Sequence, residues 1–221
     1  MAINSVLLIF LSYALGSIPF GYIFTNLFSD KNILEIGWKK TSGSNVLKNV
    51  GFVPGLLTAL FDIFKGYLAI KMAQYFGEPN LVQALCGVAA VIGHNWSLFL
   101  NFNGGRGIGT FGGVLLAFNS TLFYIALSLV VSFGIVWNAS IGTILALFAT
   151  IFYANVFGQA DSAGLFGKIV LIPIFLKRLS PIKELKDPEY RKKVLLNRII
   201  FDDEVSKDFR VKRIIKKLTD R

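Results

Sequence analysis

Cysteine and histidine are almost missing from this sequence: it holds one of each, Cys86 and His94. A single cysteine excludes an internal disulfide framework, and with a single histidine it also excludes a zinc site built by the protein. Charge is scarce as well. Lys, Arg, Asp and Glu make up 16% of the 221 residues, against 54% that are hydrophobic. The scarcity is uneven, because residues 1–176 carry only 13 charges while residues 177–221 hold 15 of the 23 basic and 8 of the 13 acidic side chains. A soluble domain needs charge over its outside, and the first 176 residues do not have enough to supply it. There is no internal repeat and no low-complexity tract. The opening stretch MAINSVLLIFLSYALGSIPFGYIF lacks the basic start and small-residue cleavage site of a signal peptide, so it reads as a first membrane helix.

What the chain does have is long apolar runs. A spanning helix needs about 20 apolar residues, with a range of about 17–25, and the candidates are the runs 4–27, 52–76, 81–100, 121–137, 141–157 and the shorter 165–176. Residues 108–137 form either one long helix or a short and a full one divided at FNST (118–121). Charge decides between them. The first loop (28–50) carries Lys31, Lys39, Lys40 and Lys48 and the tail is strongly basic, so both belong on the cytoplasmic side. That parity requires the split. The expectation is therefore an all-α, polytopic integral membrane protein of seven transmembrane helices. Its N-terminus lies outside and its basic C-terminal tail is cytoplasmic, with residues 1–177 as the membrane domain and 178–221 as the tail. The tail suits an anionic membrane surface, and no nucleic-acid partner is expected.

Polar residues gather at the cytoplasmic helix ends. KKTSGSNVLKNVG (39–51) has hydroxyls and amides that either cap a helix or, with Lys48, hold a phosphate. In FDIFKG (61–66), Asp62 and Lys65 share a helical face and are either a structural ion pair or functional charges. His94 stands about two turns before the end of its helix, ahead of FNGGRGIGT (102–110), where four glycines and Arg106 interrupt an apolar chain. Such glycines either turn backbone N–H groups toward an anion or serve tight packing. NRIIFDDE (197–204) and WNAS (137–140) are weaker signals on the same face. No Walker A loop occurs, so nucleotide binding is not expected. Taken alone, these residues describe a cytoplasmic-side pocket for a phosphorylated ligand, in an enzyme or in a small-anion transporter.

The segment IGHNWSLFLNFNGGRGIGT resembles the G-H-x-x-P-x-x-x-x-F-K-G-G-K-G-x-A-T motif of the bacterial acyl-phosphate-dependent glycerol-3-phosphate acyltransferases, the PlsY type. Gly93, His94, Phe102, Gly104, Gly105, Gly107 and Thr110 fall in register, with Arg106 in place of the second lysine. SNVLKNVG…DIFKG is similar to T-N-x-x-R-x-x-G…D-x-x-K-G, which aligns Ser44, Asn45, Lys48, Asp62 and Lys65. NASIGT aligns Ser140, and NRIIFDDE aligns Asn197, Arg198 and Glu204. The chain departs from the family's S-G-N-x-G-A, placing Trp38 where the serine stands and Lys40 where the asparagine stands. Ser42 is nearby.

The resemblance implies transfer of a fatty acyl group from acyl phosphate to the sn-1 hydroxyl of glycerol 3-phosphate, without metal or cofactor, in the cell membrane. It implies catalytic roles for His94, Arg106 and Ser42. Substrate binding would fall to Ser44, Asn45, Lys48, Gly104, Gly105, Gly107, Ser140, Asn197 and Glu204. His94 would act either as general base or as a group orienting substrate. The altered first motif also admits a relative that has lost catalysis.

Overall fold

Backbone N–H and C=O groups in lipid must be satisfied within the chain, and a helix does this segment by segment. The structure, a computed structural model, describes residues 4–157, 160–180 and 188–202, and the regular elements among them are all helical. In chain order they are α1 (Ser5–Ser17), α2 (Phe20–Phe28), the short α3 (Gly43–Asn49), α4 (Phe52–Tyr75), α5 (Asn80–Asn95), α6 (Ile108–Phe118), α7 (Ser120–Val136), α8 (Ala139–Val156), α9 (Leu165–Leu179) and α10 (Pro188–Phe201). A 3-10 turn at Leu98–Leu100 follows α5, and a π turn at Ala160–Gly164 leads into α9.

The stretches Ser5–Phe28, Phe52–Tyr75, Asn80–Leu100 and Ala139–Val156 are long and apolar enough to cross a membrane, while α6 and α7 are shorter apolar helices. The division at residues 118–121 is present. Asn119 leaves helical geometry at φ −159°, ψ 118°. Its side chain accepts hydrogen bonds from the Thr121 and Leu122 N–H groups at 2.8 and 3.4 Å, ending one helix and capping the next. At 11 residues, α6 is only about 17 Å long by helical rise.

Two expected helices differ in detail. The run 4–27 is broken between α1 and α2, because Pro19 has no N–H to donate and restricts Ile18 before it. The run 81–100 stops being α-helical at Asn95, and the chain turns back at Asn101 and Phe102, both at positive φ.

The long helices approach closely through small residues. Gly16 of α1 lies against Ala90 of α5, and Gly113 of α6 lies against Ile63 of α4, where a β-carbon would collide with backbone. Between α5, α6, α8 and α9 lies the apolar core, in which Phe111 and Phe166 stack at 5.7 Å. Buried hydroxyls return to their own helix: Thr58 donates to the Pro54 carbonyl at 2.7 Å and Thr150 to that of Ala146 at 2.8 Å. Large apolar side chains cover the outside, among them Phe10, Phe52, Phe64, Ile135 and Phe152, each more than half exposed. A surface of that kind belongs in hydrocarbon.

At the far end, α10 docks through Arg178, which donates to the carbonyls of Ile199 (2.6 Å) and Ser140 (2.9 Å), and through Asn138, which donates to that of Phe201 (3.4 Å). The tail thus reaches the same end of the bundle as the start of α8.

Candidate active site

That end of the bundle contains a cavity of about 540 Å³. Its walls come from the loop before α3 (Trp38, Ser42), α3 itself (Ser44, Lys48), α4 (Asp62), α5 (His94), the approach to α6 (Arg106), the start of α8 (Asn138, Ser140) and the end of α10 (Phe201, Asp202). Six of the residues given catalytic or binding roles by the resemblance therefore meet here, Ser42, Ser44, Lys48, His94, Arg106 and Ser140, together with Asp62.

Against the cavity lies a buried cluster of polar and charged side chains from two helices. The Asp62 carboxylate lies 3.0 Å from the Lys65 ammonium and 3.3 Å from His94 Nδ1, and all three side chains are at most 5% exposed. Lys65 also donates at 3.1 Å to the Ile18 carbonyl, which the break at Pro19 leaves without a helical partner. Asp62 and Lys65 are thus a structural pair, as one expectation had it, but Asp62 also orients the only imidazole. With Nδ1–H directed at a carboxylate, Nε2 is the basic nitrogen. The spacing of residues 62 and 94 gave no sign of this contact. The signal available in the sequence was the expense of a carboxylate inside an apolar helix.

The glycine loop does not stand at a distance from His94, as helical rise to residue 100 had implied. Because α5 ends at Asn95, the loop folds back, and the Gly105 N–H donates to the His94 carbonyl at 2.9 Å. That N–H is therefore already committed, which corrects its expected use as a phosphate donor. A β-carbon on Gly105 would run into His94 Nε2, and one on Gly104 into the His94 carbonyl, so these glycines let the loop lie against the histidine. Gly107 caps α6 at φ +76°. None of these three glycines lines the cavity.

A test follows from this packing. Gly105→Ala should lower the melting temperature by the equivalent of about 1–3 kcal/mol of overpacking and cut activity at least about tenfold by displacing the imidazole. Gly112→Ala, whose β-carbon would meet Phe123 at an ordinary 3.5 Å, should be neutral or stabilising. Equal behaviour of the two variants in thermal unfolding and turnover would refute the packing argument.

Asn45 is also not a cavity residue. Fully buried, it donates to the carbonyls of Lys40 (2.9 Å) and Ile36 (3.2 Å), and its Oδ1 accepts from the Trp38 N–H (3.0 Å) and from Asn49 (2.9 Å). Its amide is used up in shaping the 33–40 loop, which corrects the expectation of direct substrate contact. Asn197 is half-buried on α10 and does not line the cavity, and Glu204 lies outside the described residues.

The cations are arranged around one carboxylate. Arg106 Nε pairs with Asp202 Oδ2, and Arg106 Nη2 donates to the Asp202 carbonyl at 3.1 Å. Burial lowers the Lys40 ammonium below the usual lysine range, the Asp202 carboxylate opposes this, and Arg106 and Arg198 reinforce it. A lysine held down by burial and by its cationic neighbours marks a place where added negative charge is favourable. Neither Asp202 nor Lys40 was singled out as a site residue, because an acidic run in a charged tail ordinarily reads as solvated.

A membrane-embedded helical bundle with a carboxylate-backed imidazole and clustered cations around one cavity defines a class of membrane protein with a polar site at one end. The comparisons narrow the class. The family model described as Glycerol-3-phosphate acyltransferase matches residues 6–187, and the chain belongs to that family.

Glycerol-3-phosphate acyltransferase 1 of Dehalococcoides mccartyi (strain ATCC BAA-2266 / KCTC 15142 / 195) is 32% identical over 195 residues, covering 85% of this chain and 94% of that protein. The glycerol-3-phosphate acyltransferase of Prochlorococcus marinus (strain MIT 9215) is 37% identical over 113 residues, which span 51% of this chain and only 57% of the relative. The fold is that of PlsY, an integral membrane glycerol 3-phosphate acyltransferase. Its glycerol 3-phosphate form superposes with a TM-score of 0.73 at 24% identity, over 82% of this chain and 92% of PlsY. Its lysophosphatidic acid form gives 0.71 at 25%, over 82% and 91%. This chain is accordingly a multi-pass integral membrane protein.

Proposed function

We propose that this protein transfers a fatty acyl group from acyl phosphate to the sn-1 hydroxyl of glycerol 3-phosphate, releasing lysophosphatidate and inorganic phosphate. The reading rests on one observation above all: the Asp62-backed imidazole of His94 shares a cavity with Lys48 and Arg106. Two phosphorylated substrates repel each other, and clustered cations and hydroxyls offset that repulsion.

In this scheme Lys48 and Ser140 receive glycerol 3-phosphate, while Arg106, Ser42 and Ser44 receive the donor's phosphate. His94 Nε2 takes the proton from the sn-1 hydroxyl as its oxygen bonds to the acyl carbon. The bond from that carbon to the phosphate oxygen then breaks, and the departing phosphate accepts the proton from His94. The gain from such a base is about 10²–10⁴-fold.

The seven-crossing topology belongs to the same reading, with the N-terminus outside and residues 178–221 as a cytoplasmic tail of the plasma-membrane protein. It is supported by the cavity's composition, since the 28–50 loop, the 101–107 loop, the start of α8 and the end of α10 all contribute to one cavity. Alternating crossings require those four to share a face.

The direct test uses purified protein with labelled glycerol 3-phosphate and either acyl phosphate or acyl-CoA. Lysophosphatidate from acyl phosphate alone is expected. Absence of product from both donors removes the enzyme reading, and product from acyl-CoA alone removes the donor. Within that assay Arg106→Ala should lower kcat/KM at least about tenfold, about 1.4 kcal/mol, and an unchanged value would sink the assignment of Arg106.

A further inference from the structure

At Trp38 the chain departs from the family pattern it otherwise resembles, which has a serine there. Trp38 is 39% exposed, yet its ring is engaged. Trp38 lines the cavity, and its ring carries two cations from different segments: the Lys48 ammonium lies 5.1 Å from the ring centroid and the Arg106 guanidinium 5.6 Å. Both distances fall within the range of about 6 Å over which a cation is attracted to an aromatic face, and tryptophan provides the strongest such face.

The backbone beneath the ring is fixed as well. Gly37 and Lys39, on either side, hold positive φ of 58° and 53°. The Trp38 N–H donates to Asn45 Oδ1 at 3.0 Å, and Lys39 N–H donates to the Ile36 carbonyl at 3.0 Å. Asn45 itself is fully buried and ties the same loop at Ile36 and Lys40. The ring is therefore presented by a preorganised turn rather than by a mobile loop.

Lys48 and Arg106 carry like charge, and the Trp38 ring is the contact they share. We infer that Trp38 is a positioning residue whose indole holds Lys48 and Arg106 together, setting the spacing of the two cations that receive phosphate. The inference rests on the cavity being a glycerol 3-phosphate site. It also assigns a use to the tryptophan at this position: the π-face is a platform for two cations. Asp202 holds Arg106 from its other side, so the guanidinium is fixed between a ring and a carboxylate.

The test compares wild type with Trp38→Phe and Trp38→Leu. It measures KM and kcat, the calorimetric Kd for glycerol 3-phosphate without donor, and the melting temperature. Trp38→Leu should raise KM and Kd for glycerol 3-phosphate about tenfold, equivalent to about 1.4 kcal/mol. KM for acyl phosphate, which Arg106 receives, should rise as well, while kcat at saturation of both substrates stays within about threefold of wild type and the melting temperature is little changed. Trp38→Phe, which keeps a π-face, should hold both constants within about threefold of wild type. Unchanged constants in Trp38→Leu, or an equal loss in Trp38→Phe, would overturn the inference. If Trp38→Leu does not fold, Trp38→Gln provides the same contrast with Phe. A wild type that binds glycerol 3-phosphate but makes no lysophosphatidate would sink the proposed reaction, while the Kd series would still decide Trp38. A wild type that does not bind glycerol 3-phosphate at all would overturn the inference with its premise.

Discussion

Asp62→Ala is expected to destabilise the protein by about 3–5 kcal/mol, the cost of leaving a buried charge without its partner. Asp62 is the shared anion of a cluster in which it touches both Lys65 and His94. Once it is removed, the Lys65 ammonium keeps the Ile18 carbonyl and the face of Phe20 at 5.9 Å, in a place where its side chain is 2% exposed. At that exposure the ammonium has little water of its own to replace the lost carboxylate. The double variant Asp62→Ala, Lys65→Met should recover at least half of the loss, because it removes the orphaned charge together with its partner. Thermal unfolding in detergent measures both. A single variant as stable as wild type would show that the cluster carries no such energy.

His94→Gln should lower kcat by about 10²–10⁴-fold, the usual range for a positioned general base. The prediction depends on geometry as much as on residue type. Asp62 holds Nδ1, Gly105 packs beside Nε2, and His94 lines the cavity. Glutamine retains a side chain able to hydrogen-bond substrate but has no nitrogen that titrates in the useful range. The effect should therefore appear in kcat, with KM moving less than about threefold. A variant that keeps its kcat and instead raises KM would reduce His94 to an orienting group, and proton acceptance would pass to the acyl phosphate itself.

How much of this was legible beforehand differs from residue to residue. The break at FNST could be read because Asn119 signals a cap locally and the charge parity required a split. His94, Arg106, Lys48 and the serines could be read because polar groups are conspicuous in an apolar chain. The roles of Asn45 and Gly105 were not legible. An amide that shapes a loop and an amide that binds substrate look the same in one dimension. So do a glycine that offers its N–H and one that merely makes room for an imidazole. The end of α5 at Asn95 was equally hidden, since LFLNF continues the apolar run while the chain turns back on itself.

By itself the sequence determined the class: a helical membrane protein with its charge displaced to one end, because apolar runs of spanning length leave a backbone no other way to satisfy its hydrogen bonds in lipid. It also determined the inventory of polar groups that any site had to use. Only the tertiary structure decided which of them meet. The contacts of Asp62 with His94, of Asp202 with Arg106, and of Trp38 with both Lys48 and Arg106 each join segments brought together by helix packing. Hydropathy records how deep a residue sits along its own helix, whereas these contacts depend on how neighbouring helices are rotated and seated against one another. Close backbone approach at positions such as Gly16 and Gly113 sets that seating.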